Sequence, residues 1–284
     1  ANLIQAFAPD LNYRVVPMPT ISSIADPSRP VGLVDGDVLT IPAGHSGPET
    51  AADARTHFGI FSPQVWKLFP RDQVIVVNAW DYNDVAPAYF AAAEIAATDK
   101  KVGVIVLEVA RPDFQVADRS TFADTDLKSA AKGFYVIKDF DPDKPRQGYV
   151  VVQGSSSTVN LVSVLSLLEA QGINVKVISA ISEDLFRRQS KEYQNSVLPP
   201  GSKYDLMVVS TGTKRVWPVQ NVGPLTDDYS LVSDWHDEWL TGGLEQDVIA
   251  EAHLDTESIL EGVKRFALDH DTRIASQREQ LASL

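Results

Sequence analysis

No cysteine occurs anywhere in the 284 residues. That excludes disulfides, thiolate metal sites and thiol nucleophiles, and it is compatible with the cytoplasmic location expected for this chain. Positive charge is scarce as well: 25 Lys and Arg against 38 Asp and Glu leave a formal net charge of -13. Nothing in that balance neutralises phosphates along a nucleic acid, so none is expected as a partner. Long apolar runs are missing too. The longest, Val102–Leu107, fits a strand and not a membrane span, so no membrane association is expected. The opening ANLIQAFAPDL lacks a basic region and is broken by Pro9 and Asp10, so it does not read as a signal peptide. What remains, 44% hydrophobic and 22% charged, is the composition of a globular protein long enough for two domains.

Strands and helices alternate along the chain. Residues 1–35 carry five prolines and read as loop or extended connector. Asp37–Ala43, Val74–Ala79 and Val102–Val109 are short β-branched runs and predict strands. Between them lie the loop Gly44-His45-Ser46-Gly47-Pro48-Glu49-Thr50, a helical patch interrupted at Pro63, and an alanine-rich helix over Val85–Ala97. Asp118–Gln147 is polar and linker-like around the strand-like GFYVIKDF, which places a domain boundary near Thr125 and divides the chain into 1–125 and 126–284. In the second part, Gly148–Ser155, Thr158–Gln171 and Asn174–Ala180 read as strand, helix and strand, a parallel unit with a right-handed crossover. Gly172 suits the helix end. A short amphipathic helix follows within Leu185–Pro199, then a strand over Leu206–Thr211 and helices over Glu245–Ala252, Thr256–His270 (capped by Thr256) and Arg273–Leu281, the last expected to be solvated. The predicted class is α/β: two three-layer α/β domains with mostly parallel sheets.

The stretch after the crossover unit is Phe186-x-x-Gln189-x-x-x-Tyr193-x-x-Ser196-Val197-Leu198-Pro199. Singly, these residues read as packing: Phe186 and Tyr193 under the sheet, Gln189 bonding a loop. Together, at this spacing and place, they closely resemble the C-terminal domain of transketolases. The first part resembles the later half of the pyrimidine-binding domain of the same family. There a strand delivers the loop G-E-D-G-P-T-H, a later strand is followed by an aspartate, and a last strand ends in an arginine that contacts substrate phosphate. GHSGPET, Asp81 and Arg111 stand in those places here. Ser46 replaces the loop aspartate, Thr50 replaces the histidine, and His45 and Glu49 are departures from the pattern, which puts the family's sugar specificity in doubt.

The resemblance implies a thiamine diphosphate-dependent enzyme that moves a two-carbon ketol unit between sugar phosphates, with a divalent metal such as Mg on the diphosphate. The family's metal-binding G-D-G…N motif has no counterpart, since Asp35-Gly36-Asp37 lacks the leading glycine and downstream asparagine. The segment that carries the family's activating glutamate has none either. The chain is therefore expected to be catalytically incomplete and to bind no cofactor alone. Candidate substrate-binding residues are His45, Ser46, Glu49, His57 and Arg111. They sit where open α/β sheets present ligand groups, beyond strand carboxyl ends, and imidazole there can relay protons or bond a hydroxyl. The alternative reading of the loop and helix residues is a loop or capping hydrogen bond, with Asp53 completing a capping box for Thr50, and that of Arg111 is a salt bridge with a neighbouring acid. Trp235, His236 and Trp239 read as interface residues, in keeping with the family's homodimers. His253 and His270 lack a second ligand at metal spacing and read as structural. Two other functions stay open: a non-catalytic subunit or fragment that binds a cofactor-carrying partner or dimerises, and part of a thiamine-dependent 2-oxoacid dehydrogenase component.

Overall fold

β-Branched runs of five residues account for nearly every strand, and the computed structural model shows how they are stacked. It describes residues 38–43, 47–50, 66–70, 72–109, 113–213, 226–234 and 240–283. In chain order the elements are β1 (Leu39–Ala43), β2 (Val74–Asn78), α1 (Tyr82–Thr98), β3 (Val104–Glu108), β4 (Phe134–Lys138), β5 (Tyr149–Gln153), α2 (Ser155–Ala170), β6 (Lys176–Ala180), α3 (Glu183–Arg187), α4 (Lys191–Val197), β7 (Leu206–Ser210), β8 (Leu231–Val232), α5 (Glu245–Glu251), α6 (Thr256–Leu268) and α7 (His270–Ala282).

The strands form two separate sheets. The first is parallel, in the order β1-β3-β2; the second runs β4-β6-β5-β7-β8, with only β4 antiparallel. The class is α/β with mostly parallel sheets, as predicted. Alternation along β2 sends Ile75 and Val77 to one face and Val74 and Val76 to the other. The first face packs against Ala88, Ala92 and Ala96, an i, i+4 row of small residues that brings α1 close to the sheet. In the second sheet Val150, Val152, Val177 and Val209 meet Leu161, Val164 and Leu168 of α2 and Ile259, Val263 and Phe266 of α6. The opposite face, with Val151, Ile178 and Val208, is covered by Phe186 of α3 and Val197 of α4. Each fully buried Val, Leu, Ile or Phe contributes about 1.5–3 kcal/mol of transfer free energy, so these layers outweigh any single polar contact.

Local chemistry sets the helix ends. Gly172, at φ +77, closes α2: its N–H reaches Glu169 O at 2.9 Å while Ile173 N–H reaches Leu168 O at 3.0 Å. These two bonds satisfy carbonyls the helix leaves open. The helix starts three residues before the expected Thr158: Ser155–Ser157 are buried at its first turn, and the Ser157 hydroxyl donates to Gln153 O and Gly154 O. The single helix expected within Leu185–Pro199 is two. Ser182 caps α3 and Ser190 caps α4, each hydroxyl accepting an N–H (from Leu185 and Tyr193), so a second start interrupts the first helix. Asp255, and not Thr256, caps α6, taking the N–H groups of Glu257 and Ser258, both at 3.0 Å.

Two polar segments are less solvated than their composition suggests. Within Asp118–Gln147, Arg119 is buried and Asn174 ties down the loop after β4 by bonding Asp141, Lys144 and Pro145 carbonyls. Helix α7, expected to be solvated, buries Arg273 and Gln277. The Arg273 guanidinium bonds Asp205 and Phe266 O and lies 4.0 Å from the Phe266 ring centroid, so a charged side chain docks this helix.

The residues of the Phe186–Pro199 pattern divide their work. Phe186 stacks on Phe134 with centroids 4.3 Å apart, Tyr193 OH donates to Phe134 O at 2.8 Å, and Gln189 Nε2 donates to Leu185 O at 2.9 Å. The charged positions face the first sheet instead. Asp184 accepts Val76 N–H at 3.0 Å, and Arg188 pairs with Asp72 and Asp99 at 3.3 and 3.2 Å. Asn78 N–H donates to Ile181 O at 2.7 Å. Edge strand β2 thus has outward N–H groups taken by the second sheet's connections, which blocks pairing with another chain there.

Candidate functional site

Parallel pairing brings three connections to one edge. Ala43, Glu108 and Asn78 lie side by side at the carboxyl ends of β1, β3 and β2. Past that row come the turn Gly47–Thr50, the segment Ala79–Asp81 and Val109. Trp80, Asp81, Tyr82, Val109, Phe114 and the first α2 residue, Ser155, line a small cleft there. Carboxyl edges of parallel sheets gather ligand groups because helix N-termini and loops converge on them.

Glu49 is the one predicted site residue among those described. Its side chain is buried at 1% exposure and accepts a hydrogen bond from Ser156 Oγ at 2.9 Å, while Oε1 has no hydrogen-bond partner among the described residues. Burial pushes its carboxyl up from 4.5 to about 7, against the pull of the Glu49 and Ser156 backbone and of the Ser156 hydroxyl; Glu245 adds a smaller upward push. The turn fits tightly around it. Gly47, at φ +98, has the Glu49 carboxylate where a Cβ would stand, and Thr50 Oγ1 donates back to Gly47 O at 2.9 Å. A carboxyl poised near neutrality can give or take a proton, and this one is placed against the start of α2. His45, Ser46, His57 and Arg111 lie outside the described residues, as do Asp53, Trp235, His236, Trp239 and the Asp35–Asp37 string.

Asp81, marked by the family pattern, belongs to a buried charge network that sequence inspection did not reveal. Its carboxylate caps α1 by accepting Asn83 N–H at 3.0 Å and holds Ala117 N–H at 3.2 Å. Arg119 Nη2 reaches both Asp81, at 2.8 Å, and Asp84, at 2.7 Å. Tyr135 OH donates to Asp84 at 3.1 Å and accepts from Trp80 Nε1 at 2.5 Å. Burial pushes Asp84 from 3.8 to about 6, with Arg119 pulling the other way. Burial, with Asp84 alongside, also raises the Tyr135 phenol well above its ordinary value, so it remains a donor. Glu108, fully buried at the end of the central strand, accepts from Trp66 Nε1 at 3.1 Å. It was concealed within the apolar run VIVLEV. Asp81 and Asp84 carried the one available signal, a D-x-x-D spacing at a helix start, which says nothing about an arginine 35 positions away.

His253 lies just past α5 at φ 56, not on the helix, and His270 contacts Asp205 and Asp271 at 3.2 and 3.0 Å. Among the described residues no group of three His, Asp or Glu side chains converges as a metal site. Asp81 and Asp84 are held by Arg119, and Glu49 by Ser156. The described residues therefore do not fit a divalent metal on a diphosphate.

Comparison with known proteins finds likeness to transketolases. Residues 133–223 match the model of the transketolase-like C-terminal domain. The transketolase of Aquifex aeolicus is 30% identical over 156 residues, 55% of this chain and 21% of that protein. A transketolase variant from Pichia stipitis superposes with a TM-score of 0.61 at 22% identity, over 82% of this chain and 30% of that one. A protein described as a split gene transketolase, an inactive beta4 tetramer, superposes with a TM-score of 0.51 at 16% identity, over 81% of this chain and 66% of that one. The chain spans about a fifth to just over a quarter of the length of the curated transketolases it matches (21% and 27%). A parallel three-stranded unit joined to a five-stranded sheet is thus an arrangement similar to that of solved transketolases, and residues 133–223, which hold the Phe186–Pro199 pattern, are similar to the transketolase-like C-terminal domain.

Proposed function

We propose that this chain is the C-terminal part of a transketolase-like, thiamine diphosphate-dependent enzyme that transfers a two-carbon ketol unit between sugar phosphates. The observation that carries the reading is the match of residues 133–223 to the transketolase-like C-terminal domain, joined to a parallel sheet whose carboxyl edge bears the family's loop. In this reading residues 1–125 are the remainder of the pyrimidine-binding domain and 126–284 the C-terminal domain. The separation of the two sheets supports that division, as does the connector between Glu108 and Phe134. His45, Ser46, Glu49, His57 and Arg111 would form the substrate-facing set, supported by the edge position of Ala43, Glu49 and Val109. The cofactor and its Mg would be held largely by another domain or chain, and the working unit would be a homodimer or a complex with that chain.

A second reading has its own support: the chain is a separately made, non-catalytic subunit. The likeness to a split gene transketolase, of which it covers 66%, favours it. One experiment tests both. Calorimetry with thiamine diphosphate and magnesium should show no micromolar binding to the chain alone, and transfer from a ketose phosphate to an aldose phosphate should appear only with a cofactor-binding chain added. Tight binding and turnover by the chain alone would overturn the incomplete-enzyme reading. No transfer with any cofactor-binding chain would overturn the catalytic one.

A further inference from the structure

The Glu49 carboxyl joins two parts of the molecule that the chain keeps far apart. It sits on the turn after β1, and its partner, Ser156, is 107 positions later in the first turn of α2. Helix α5 packs on the same turn, presenting Glu245 from its first residue. The first turn of α2 contributes only hydroxyl side chains, Ser155–Ser157 and Thr158, and Glu245 is the charged group of the described residues that acts on Glu49. One carboxyl oxygen is buried without a hydrogen-bond partner among the described residues. A neutral carboxyl tolerates that position, whereas a carboxylate there loses more hydration than the Ser156 hydroxyl and the neighbouring backbone restore.

We propose that Glu49 is a proton-dependent clasp: protonated, it seats the Gly47–Thr50 turn against α2 and α5, and ionised, it lets the turn disengage. The proposal concerns the chain itself and does not rest on the proposed activity. The direction in pH follows from the carboxyl being raised in place to about 7 from an ordinary 4.5. Between those values the seated group keeps a proton that the released group has lost. The clasp is therefore strongest below about pH 4.5 and weakens as pH rises to about 7. Helix α2 opposes this by favouring negative charge at its N-terminus, and the burial of Glu49 outweighs it.

Hydrogen exchange on the full chain, corrected for the intrinsic pH dependence of amide chemistry, reads the clasp directly. Peptides covering Gly47–Thr50 and Ser155–Thr158 should lose protection by about ten-fold or more between pH 5.5 and 8.5. Glu49→Gln, neutral at every pH, should keep the low-pH protection throughout. Ser156→Ala removes a hydrogen bond that favours the ionised form, so the midpoint should move to higher pH. Flat protection in the unsubstituted chain would overturn the proposal. So would an unchanged pH profile in Glu49→Gln, or an unmoved midpoint in Ser156→Ala should Glu49→Gln fail to fold.

Discussion

Replacing Arg119 with methionine tests whether the buried charges between the two sheets are held by one cation. Arg119 is 4% exposed and bonds Asp81 and Asp84 through a single terminal nitrogen, with its Nε unpartnered. Methionine keeps much of the packing against Trp80 and Tyr135 but leaves two carboxylates facing each other. Breaking a buried pair from one side costs about 3–5 kcal/mol, and a second carboxylate at the site favours the upper end. The loss should depend on pH. Asp84 already titrates at about 6 in the fold against an ordinary 3.8, so the folded state binds its proton more tightly and loses stability as pH rises from about 4 to about 6. Without the guanidinium, whose charge pulls it down, the Asp84 carboxyl rises further and the loss extends to higher pH. Urea unfolding followed by tryptophan fluorescence should show the Arg119→Met deficit at about 4 kcal/mol at pH 8 and smaller by about 1–2 kcal/mol at pH 5. Adding Asp84→Asn should recover at least about 1 kcal/mol at pH 8. A deficit below about 1 kcal/mol, or one equal at pH 5 and 8, would refute the reasoning.

Gly154→Ala, at φ +96 with the Thr211 side chain where a Cβ would stand, should destabilise by about 2 kcal/mol or more; Gly172→Ala, at φ +77 in open space, should cost about 1 kcal/mol. Urea midpoints that place the two in the opposite order would contradict this. Asp255→Ala should cost about 1 kcal/mol and Thr256→Ala a few tenths, since Asp255 accepts two backbone N–H groups; thermal unfolding of both variants distinguishes them. If the proposed reading holds, His45→Ala in the proposed complete transketolase-like enzyme should lower kcat/KM by about ten-fold or more, roughly 1.4 kcal/mol, with little change in stability. Retained activity together with lost stability would make the loop structural.

Elements with a short period were legible. Val74-Ile75-Val76-Val77 could only be a buried strand, and the Leu161-to-Leu168 spacing ending at Gly172 could only be a helix that stops there, because side-chain geometry repeats every 2 or 3.6 residues. The family pattern was legible for a related reason: Phe186, Gln189 and Tyr193 serve packing within one local unit. Helix boundaries were less so, since adjacent Asp255 and Thr256 are both capping residues and only the backbone turn decides between them.

The chain's composition and local periodicity thus determined its class, its strands and most of its helices, and the spacing of one pattern determined its kinship. Tertiary structure alone decided what the polar residues do. Arg119 meets Asp81 and Asp84 across 38 and 35 positions, Tyr135 meets Asp84 across 51, and Ser156 meets Glu49 across 107. The ionisation of Glu49 and Asp84 depends on how completely water is excluded around them, and exclusion is a property of the packed layers that no window of sequence contains.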